Sequence, residues 1–313
     1  MGWFEERGGL AGTVAVVTGG AGGLGRAIVA DLVANGVHPA VVDLDPAGVA
    51  ELRDSPAGQQ AVVHHGDARD PAVLTALFEA ADARWGRLDT LVNVVGGTFR
   101  APFTETGPKG WDALLRTNLT HVLHACHLAV PRMRAGGRGG SIINITTIEA
   151  HRAAPGFAVY AAAKAAVEQF ARTLAVEVAP DGIRVNNIAP DFVPTPNLER
   201  IGTGDNAMTD PEGVKVAIPM GRAGYVTDIS ECAVFLASRL SSYLTGTTLH
   251  PDGGTWASAG WFNWPAEGWA NHAPLRVLRA SEAGQCAECG RPSENDAGRD
   301  DRSGPARLSG GSS

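Results

Sequence analysis

The sequence predicts a doubly wound α/β fold, a single domain built on a parallel sheet of about seven strands. Three observations point there. Short apolar, β-branched runs recur along the chain, most are separated by stretches of helical periodicity, and a glycine-rich turn follows the first run directly. The runs are apolar on both faces, as expected for strands of a parallel sheet covered by helices on each side.

In chain order, the predicted strands are VAVVT at 14–18, AVVDL at 40–44, AVVHH at 61–65, LDTLVNVV at 88–95, SIINIT at 141–146, IRVNNIA at 183–189 and GTTLH at 246–250. Residues 1–12 read as a leader and residues 13–256 as the catalytic domain, with no internal repeats. After PDGG at 251–254 the composition shifts. Residues 257–277 are rich in tryptophan, and residues 278–313 are a polar mixture of glycine, serine, arginine and acids that is expected to be disordered. Trp256, Trp261, Phe262, Trp264 and Trp269 fit a covering flap, a subunit contact or a pocket lid equally well, and are expected to pack against the body.

The formal net charge of -7 over 313 residues argues against nucleic acid and anionic membrane as partners, and leaves a small molecule. No run of about 18 apolar residues is available to span a bilayer. The opening MGWFEERGGL carries acids where an export signal has an apolar core, so the expected location is the cytoplasm. Cysteine usage agrees. Cys126 and Cys232 stand alone on predicted helices, and the one Cys-x-x-Cys pair, Cys286 and Cys289, supplies too few ligands for zinc. His121, His124 and His127 share one helix but lack the i, i+4 spacing of a zinc helix, and read as surface or subunit-interface residues. His64 and His65 merely close a strand, so no metal is expected.

The turn TGGAGGLGRAIVADLVANG at 18–36 lies between a strand and a helix. Gly20, Gly22 and Gly25 fit Gly-x-Gly-x-x-Gly; Thr18, Gly19, Gly23 and Gly25, with Leu24 between the last two, fit Thr-Gly-x-x-x-Gly-x-Gly. Glycines let the backbone approach a pyrophosphate, whose charge then meets the amides of the helix N-terminus. Eighteen residues beyond Gly25, the second strand ends at Asp43, where a carboxylate can accept from an adenosine ribose and repel a 2′-phosphate. No basic residue precedes Arg26 in the loop or follows Asp43, so NAD is expected over NADP. The other reading of Asp43 is a cap for the next turn, which Asp45 serves equally well.

Thr147 ends the fifth run, Tyr160 follows thirteen residues later, and Lys164 lies four beyond that in YAAAKAAVEQF. The four-residue spacing puts phenol and amine on one helix face. A free phenol, with a pKa of about 10, is a feeble base at neutral pH. A nearby ammonium and a cationic nicotinamide are expected to lower it, making Tyr160 a general base in alcohol oxidation and the acid in reverse, with Thr147 orienting the substrate oxygen.

With these motifs in place, residues 10–256 resemble the short-chain dehydrogenase/reductase family, which implies a Rossmann-type sheet. By that resemblance, HGDAR sets Asp67 by the adenine with Ala68 following, and NVVGG matches at Asn93 and Gly96 but departs at Val94 and Val95. Asn118 in LLRTNLT supports a water linking the lysine to solvent, and Pro190, Val193 and Thr195 in IRVNNIAPDFVPT clasp the nicotinamide. Lys164 also anchors the ribose. The resemblance further implies a homodimer or homotetramer built on the helices around 111–135 and 156–178. Thr147 replaces the usual serine, Asp191 a usual glycine and Val226 a common proline. Val94 puts a sheet hydrogen bond in doubt, and Asp191 is expected to alter the nicotinamide loop. The implied activity is interconversion of a secondary alcohol and its ketone. Alternatives are dehydrogenation of an aromatic or carboxylated cis-dihydrodiol, hinted at by NVVGGTF, and a nucleotide-sensing protein on the same fold. Residues 194–220 are the expected specificity loop.

Overall fold

The computed structural model describes residues 2–195 and 210–279. Seven strands form one parallel sheet: β1 (Val14–Thr18), β2 (His38–Asp43), β3 (Val62–His65), β4 (Thr90–Asn93), β5 (Gly140–Ile145), β6 (Ile183–Ile188) and β7 (Thr248–Leu249). Their spatial order is β3-β2-β1-β4-β5-β6-β7. The order reverses direction at β1, so the crossovers after β1 and β4 leave on opposite faces and open a crevice at the carboxyl ends of these strands.

The helices are α1 (Trp3–Gly8), α2 (Gly23–Ala34), α3 (Pro46–Asp54), α4 (Pro71–Trp85), α5 (Pro108–Leu115), α6 (His121–Gly136), α7 (Ala158–Val178), α8 (Pro211–Ala217) and α9 (Val226–Ala237). Three of them, α3, α4 and α8, begin with Asp-Pro. Asp45, Asp70 and Asp210 each accept a hydrogen bond from the amide two residues on, while the proline occupies a position that needs no amide donor. Strand alternation then sorts the core. Val16 and Ile142 pack with Leu77, Phe78, Ala125 and Ala171 of α4, α6 and α7, while Val17 and Ile143 pack with Ile28, Leu32, Ile229 and Leu236 of α2 and α9. Val226 occupies the first position of α9, where a proline would only have supplied a preset backbone angle.

A polar row crosses this apolar sheet. Asn93, Asn144, Asn187 and Thr248 are in register on β4 to β7. Asn93 Nδ2 donates to Asn144 Oδ1 at 2.9 Å, Asn144 Nδ2 to Asn187 Oδ1 at 3.0 Å, and Asn187 Nδ2 to Thr248 Oγ1 at 3.2 Å. The row ends on α7, where the Thr248 hydroxyl donates to Glu168 at 3.3 Å. The concern attached to Val94 therefore does not materialise at this edge of the crevice: Val94 keeps its backbone bond to Thr18 O at 3.2 Å, and side-chain cross-linking is carried by Asn93.

The tryptophan-rich segment has structure that the sequence left open. A short helical turn, Thr255–Ser258, leads into an antiparallel hairpin of β8 (Phe262–Trp264) and β9 (Gly268–Ala270), which packs on α8. Trp256 lies against His151 and His250, with ring centroids 5.4 and 6.4 Å away. Trp261 and Trp269 remain about half exposed. Cys286, Cys289 and the tail from 280, expected to be disordered, lie outside the described residues, as does 196–209 of the expected specificity loop. Among the described residues, no helix is long and apolar enough to cross a membrane.

The buried asparagine row gives a stability expectation. Asn144→Ala strands a donor on Asn93 and an acceptor on Asn187, and should lower the unfolding free energy by about 2–4 kcal/mol in urea denaturation.

Candidate active site

The glycine turn is closed by backbone contact. Gly19 and Gly23 adopt left-handed angles (φ 69° and 48°), and a Cβ on Gly25 would lie 1.9 Å from Gly19 O. Only glycine permits α2 to start this close to the end of β1. Leu24, the second residue of α2, is partly buried and packs against the core. Thr18 Oγ1 accepts from the Val94 amide at 3.2 Å and so ties the turn to the end of β4. At the end of β2, Asp43 Oδ2 accepts from the Ala21 amide at 2.9 Å and Oδ1 from the Asp45 amide at 3.0 Å. Asp45, not Asp43, caps α3. Arg26 is committed elsewhere, to Ala21 O, Gly48 O and Glu51. An open glycine cradle flanked by a carboxylate with spare lone pairs fits a dinucleotide.

Asp67 is held by Arg69 through both carboxylate oxygens (2.7–2.9 Å), and hydrogen bonding to that guanidinium keeps its carboxyl below the usual range. Ala68 beside it is buried, as are Asn93, Pro190 and Val193; Thr195 approaches Gly23, its Cγ2 3.5 Å from where a Cβ would stand. Pro190 O accepts from the Ile148 amide at 3.1 Å, which joins the segment after β6 to the turn after β5.

Tyr160, Lys164 and Thr147 meet at the end of β5. Lys164 is buried, its Nζ donating to Ile145 O at 2.8 Å. Thr147, two residues on, is also buried, and its hydroxyl hydrogen-bonds to the Tyr160 phenol in the sense that favours phenolate. Asn118 sits in a π-helical turn, Arg116–Thr120, inserted between α5 and α6; such wide turns recur at functional sites because they redirect one side chain without ending the helix. Its Nδ2 donates to Gly97 O (2.8 Å) and Leu114 O (3.0 Å), and its Oδ1 accepts from Gly97 N (3.2 Å). Gly96 separates Asn118 from the lysine, since a Cβ there would lie 3.1 Å from Lys164 Nζ and 3.3 Å from Asn118 Oδ1.

Two expectations are corrected. The Tyr160 phenol is not lowered in the chain as it stands: burial pushes it up to about 12, and the Glu149 carboxylate adds to this, against the opposing Thr147 hydroxyl. The spacing that placed Lys164 on the same helix face says nothing about desolvation. Burial also brings Lys164 down to about 8. His121, read as a surface or interface residue, is 1% exposed and held neutral, its pKa lowered to about 3 by burial and by the Lys164 charge. His124 is half-buried and His127 exposed. Asp191 keeps a negative φ, so the loop needs no unusual angle at the position of the usual glycine.

The sequence reading missed Glu168, Glu149 and Arg152. Glu168, 2% exposed, accepts from the Thr146 hydroxyl at 2.9 Å and lies 3.0 Å from His151 Nε2. Its signal was available, because an acid four residues after Lys164 continues the Tyr160/Lys164 stripe on a buried face. Glu149 and Arg152 pair at 2.8 Å, and Arg152 reaches Asp191 at 3.3 Å. A cavity of about 390 Å³ borders this pair of loops, lined by Asp191, Phe192, Met220, Cys232, Phe235 and Asp252, with Tyr160 outside its lining.

A family model described as enoyl-(acyl carrier protein) reductase matches residues 19–255. D-threitol dehydrogenase of Mycolicibacterium smegmatis is 36% identical over 250 residues, 78% of this chain and 93% of its own length. The chain belongs to the short-chain dehydrogenase/reductase family. Other members give the same coverage: 3β-hydroxysteroid dehydrogenase 1 of Eggerthella lenta is 36% identical over 252 residues, 78% of this chain and 94% of its own. The crystal structure of a 3-ketoacyl-(acyl-carrier-protein) reductase from Brucella melitensis complexed with NADH superposes with a TM-score of 0.72 at 30% identity, covering 79% of this chain and 99% of that one. As a member of this family the chain is an oxidoreductase acting on alcohol or ketone groups.

Lys164 buries an ammonium with one recorded hydrogen bond, and the pH dependence follows. Below about pH 8 the folded state carries the full desolvation cost. Between there and the unfolded value near 10.5 the folded amine is neutral while the unfolded one is charged, so the cost shrinks with rising pH. Lys164→Met should therefore raise the thermal midpoint at pH 7, and that advantage should fade by about pH 10 when followed by circular dichroism.

Proposed function

We propose that the chain is an NAD-dependent dehydrogenase that interconverts a secondary alcohol and its ketone. The supporting observation is the meeting of phenol, hydroxyl and ammonium at the end of β5, with Lys164 Nζ 2.8 Å from Ile145 O and Thr147 against Tyr160. The body formed by residues 13–256 carries this chemistry. Thr18, Gly19, Gly23, Leu24, Gly25, Asp43, Asp67, Ala68, Asn93 and Gly96 form the dinucleotide half, and Pro190, Val193 and Thr195 the nicotinamide side. Bound NAD supplies the hydride acceptor.

Thr147 holds the substrate oxygen and Tyr160 takes its proton during oxidation or returns it during reduction. Lys164 keeps positive charge beneath the phenol and anchors the ribose, and Asn118 supports proton exchange with solvent. With burial holding the phenol near 12, proton removal depends on positive charge arriving with the cofactor, which ties the base to cofactor occupancy. Asp43 favours NAD, because Arg26 is engaged elsewhere and leaves no cation for a 2′-phosphate. The NADH complex of the Brucella relative is consistent with this choice. The protein is placed in the cytoplasm as a homodimer or homotetramer.

Tyr160→Phe removes one oxygen and should abolish turnover while NADH binding, followed by fluorescence, persists; substantial remaining turnover would exclude the mechanism. Thr147→Ser should keep most activity and Thr147→Val should lose it, and equal rates would reduce Thr147 to packing. Replacing Asp43 by Ser, together with Leu44→Arg, should shift kcat/KM from NAD toward NADP. Equal use of both cofactors by the unaltered enzyme would exclude the role given to Asp43.

A further inference from the structure

The wall that faces Tyr160 from the end of β5 carries charge that the alcohol chemistry itself does not require. Glu149 lies in the single 3₁₀ turn Ile148–Ala150 that follows Thr147, and its amide donates to Thr147 Oγ1 at 3.3 Å. The carboxylate is thus fixed relative to the hydroxyl that would orient the substrate. It is also close enough to Tyr160 for its charge to oppose phenol ionisation. Its side chain is 23% exposed, so it is held but reachable.

Arg152 does the holding. Its guanidinium meets both Glu149 oxygens, Oε1 at 2.8 Å and Oε2 at 3.4 Å, and crosses to Asp191 Oδ1, on the segment after β6, at 3.3 Å. Asp191 is mostly buried, its carboxyl raised by burial, and the Thr255 hydroxyl bonds to it. Asp252 lies close enough for its charge to act on both Arg152 and Asp191, and its own oxygens accept from the Gly254 and Trp256 amides at 2.8 Å. Two carboxylates therefore pair with one guanidinium, and a third acts on it only through its charge. A carboxylate offers about four acceptor sites. Arg152 takes one site on each Glu149 oxygen, and the remaining lone pairs of this part-exposed carboxylate are open to another donor.

We propose that Glu149 is a specificity-determining residue that accepts a hydrogen bond from a second hydroxyl of the substrate, on a carbon adjacent to or one removed from the reacting carbinol. The inference rests on the alcohol dehydrogenase reading above and names its substrate class: a neutral polyhydroxylated alcohol or the matching hydroxyketone. A monohydric alcohol displaces water from the part-exposed carboxylate without supplying a donor in its place, which is costly at a site that offers an acceptor. A carboxylated substrate meets like charge from Glu149, Asp191 and Asp252 and is disfavoured, including the carboxylated cis-dihydrodiols.

The test compares alcohols on shared carbon frames: 2-butanol with 2,3-butanediol, cyclohexanol with cis-1,2-cyclohexanediol, and 3-hydroxybutyrate as the anionic member. Unaltered enzyme, Glu149→Gln, Glu149→Asp and Tyr160→Phe are assayed with NAD. The unaltered enzyme should prefer the diol of each pair in kcat/KM by about tenfold or more, the size of one hydrogen bond to a charged group, with 3-hydroxybutyrate poorest. Glu149→Gln should cut the diol preference by about tenfold, chiefly through the KM of the diol, and Glu149→Asp should restore part of it. Because the ratio is read within each variant, a general loss of activity cancels. A diol preference unchanged in Glu149→Gln, or absent from the unaltered enzyme, overturns the inference while leaving the dehydrogenase reading in place. No turnover of either pair by the unaltered enzyme, or undiminished turnover by Tyr160→Phe, overturns the dehydrogenase reading and this inference with it.

Discussion

The way α7 is pinned to the last residues of β5 governs the geometry of the crevice mouth. Lys164 donates to Ile145 O and Glu168 accepts from the hydroxyl of the next residue, Thr146. Two residues four apart on a helix thus grip the last residue of a strand and the one that follows it. Such a double contact permits little sliding or rotation of the helix, and it is what sets the Tyr160 phenol opposite Thr147. The grip buries an ammonium and a carboxylate, both expensive to remove from water. The carboxylate is well supplied, by Thr146, Thr248 and His151, whereas the ammonium has the Ile145 carbonyl and a lowered pKa. The less satisfied member of the pair is the one a helical turn from the phenol, and groups perturbed in this way cluster at functional sites.

The same grip connects the site to the far strands. Glu168 ends the row that begins at Asn93, so the ends of β4, β5, β6 and β7 are linked by side chains as well as by their backbones. Asn93 precedes the segment carrying Gly96, and Gly96 is the thin spacer between Asn118 and Lys164. Displacement of any of these strand ends would be felt at Lys164. Through His151 and Trp256, the contact extends to the turn after β7 and the aromatic segment beyond it.

Charge placement distinguishes this chain from a generic alcohol site. Asp191, where glycine is usual in the family, strains no backbone and instead gives Arg152 a second carboxylate across the crevice. The turn after β5 and the segment after β6 are bridged by that ion pair and by the Ile148 amide on Pro190 O. The Thr147 hydroxyl and the wall's charge are therefore placed by one compact turn, Thr147 to Arg152.

Much of the fold and half of the site were legible as local pattern. Alternating apolar runs reported the sheet, the glycine spacing reported the turn between β1 and α2, and the four-residue step from Tyr160 to Lys164 reported a shared face; each depends only on neighbours along the chain. Boundaries drifted by up to two residues at an end, most at the fourth strand, where the apolar run 88–95 outlasts the paired segment Thr90–Asn93. Partners and polarity were not legible. His121 looked like a surface residue because its helix carries three histidines, and only packing against the sheet buries it beside the field of Lys164. The Tyr160 phenol was expected to be acidified by its neighbour, yet burial decided the sign. Glu149 and Arg152 are unremarkable as letters, Asp191 stands out only as a replacement for glycine, and the three become one wall only when the ends of β5 and β6 lie side by side. The sequence by itself determined the elements, the glycine turn after β1 and the residue types that gather at the end of β5, because periodicity and spacing are properties of the local chain. Desolvation and through-space charge depend on which distant residues share a small volume, and only the tertiary structure decided that.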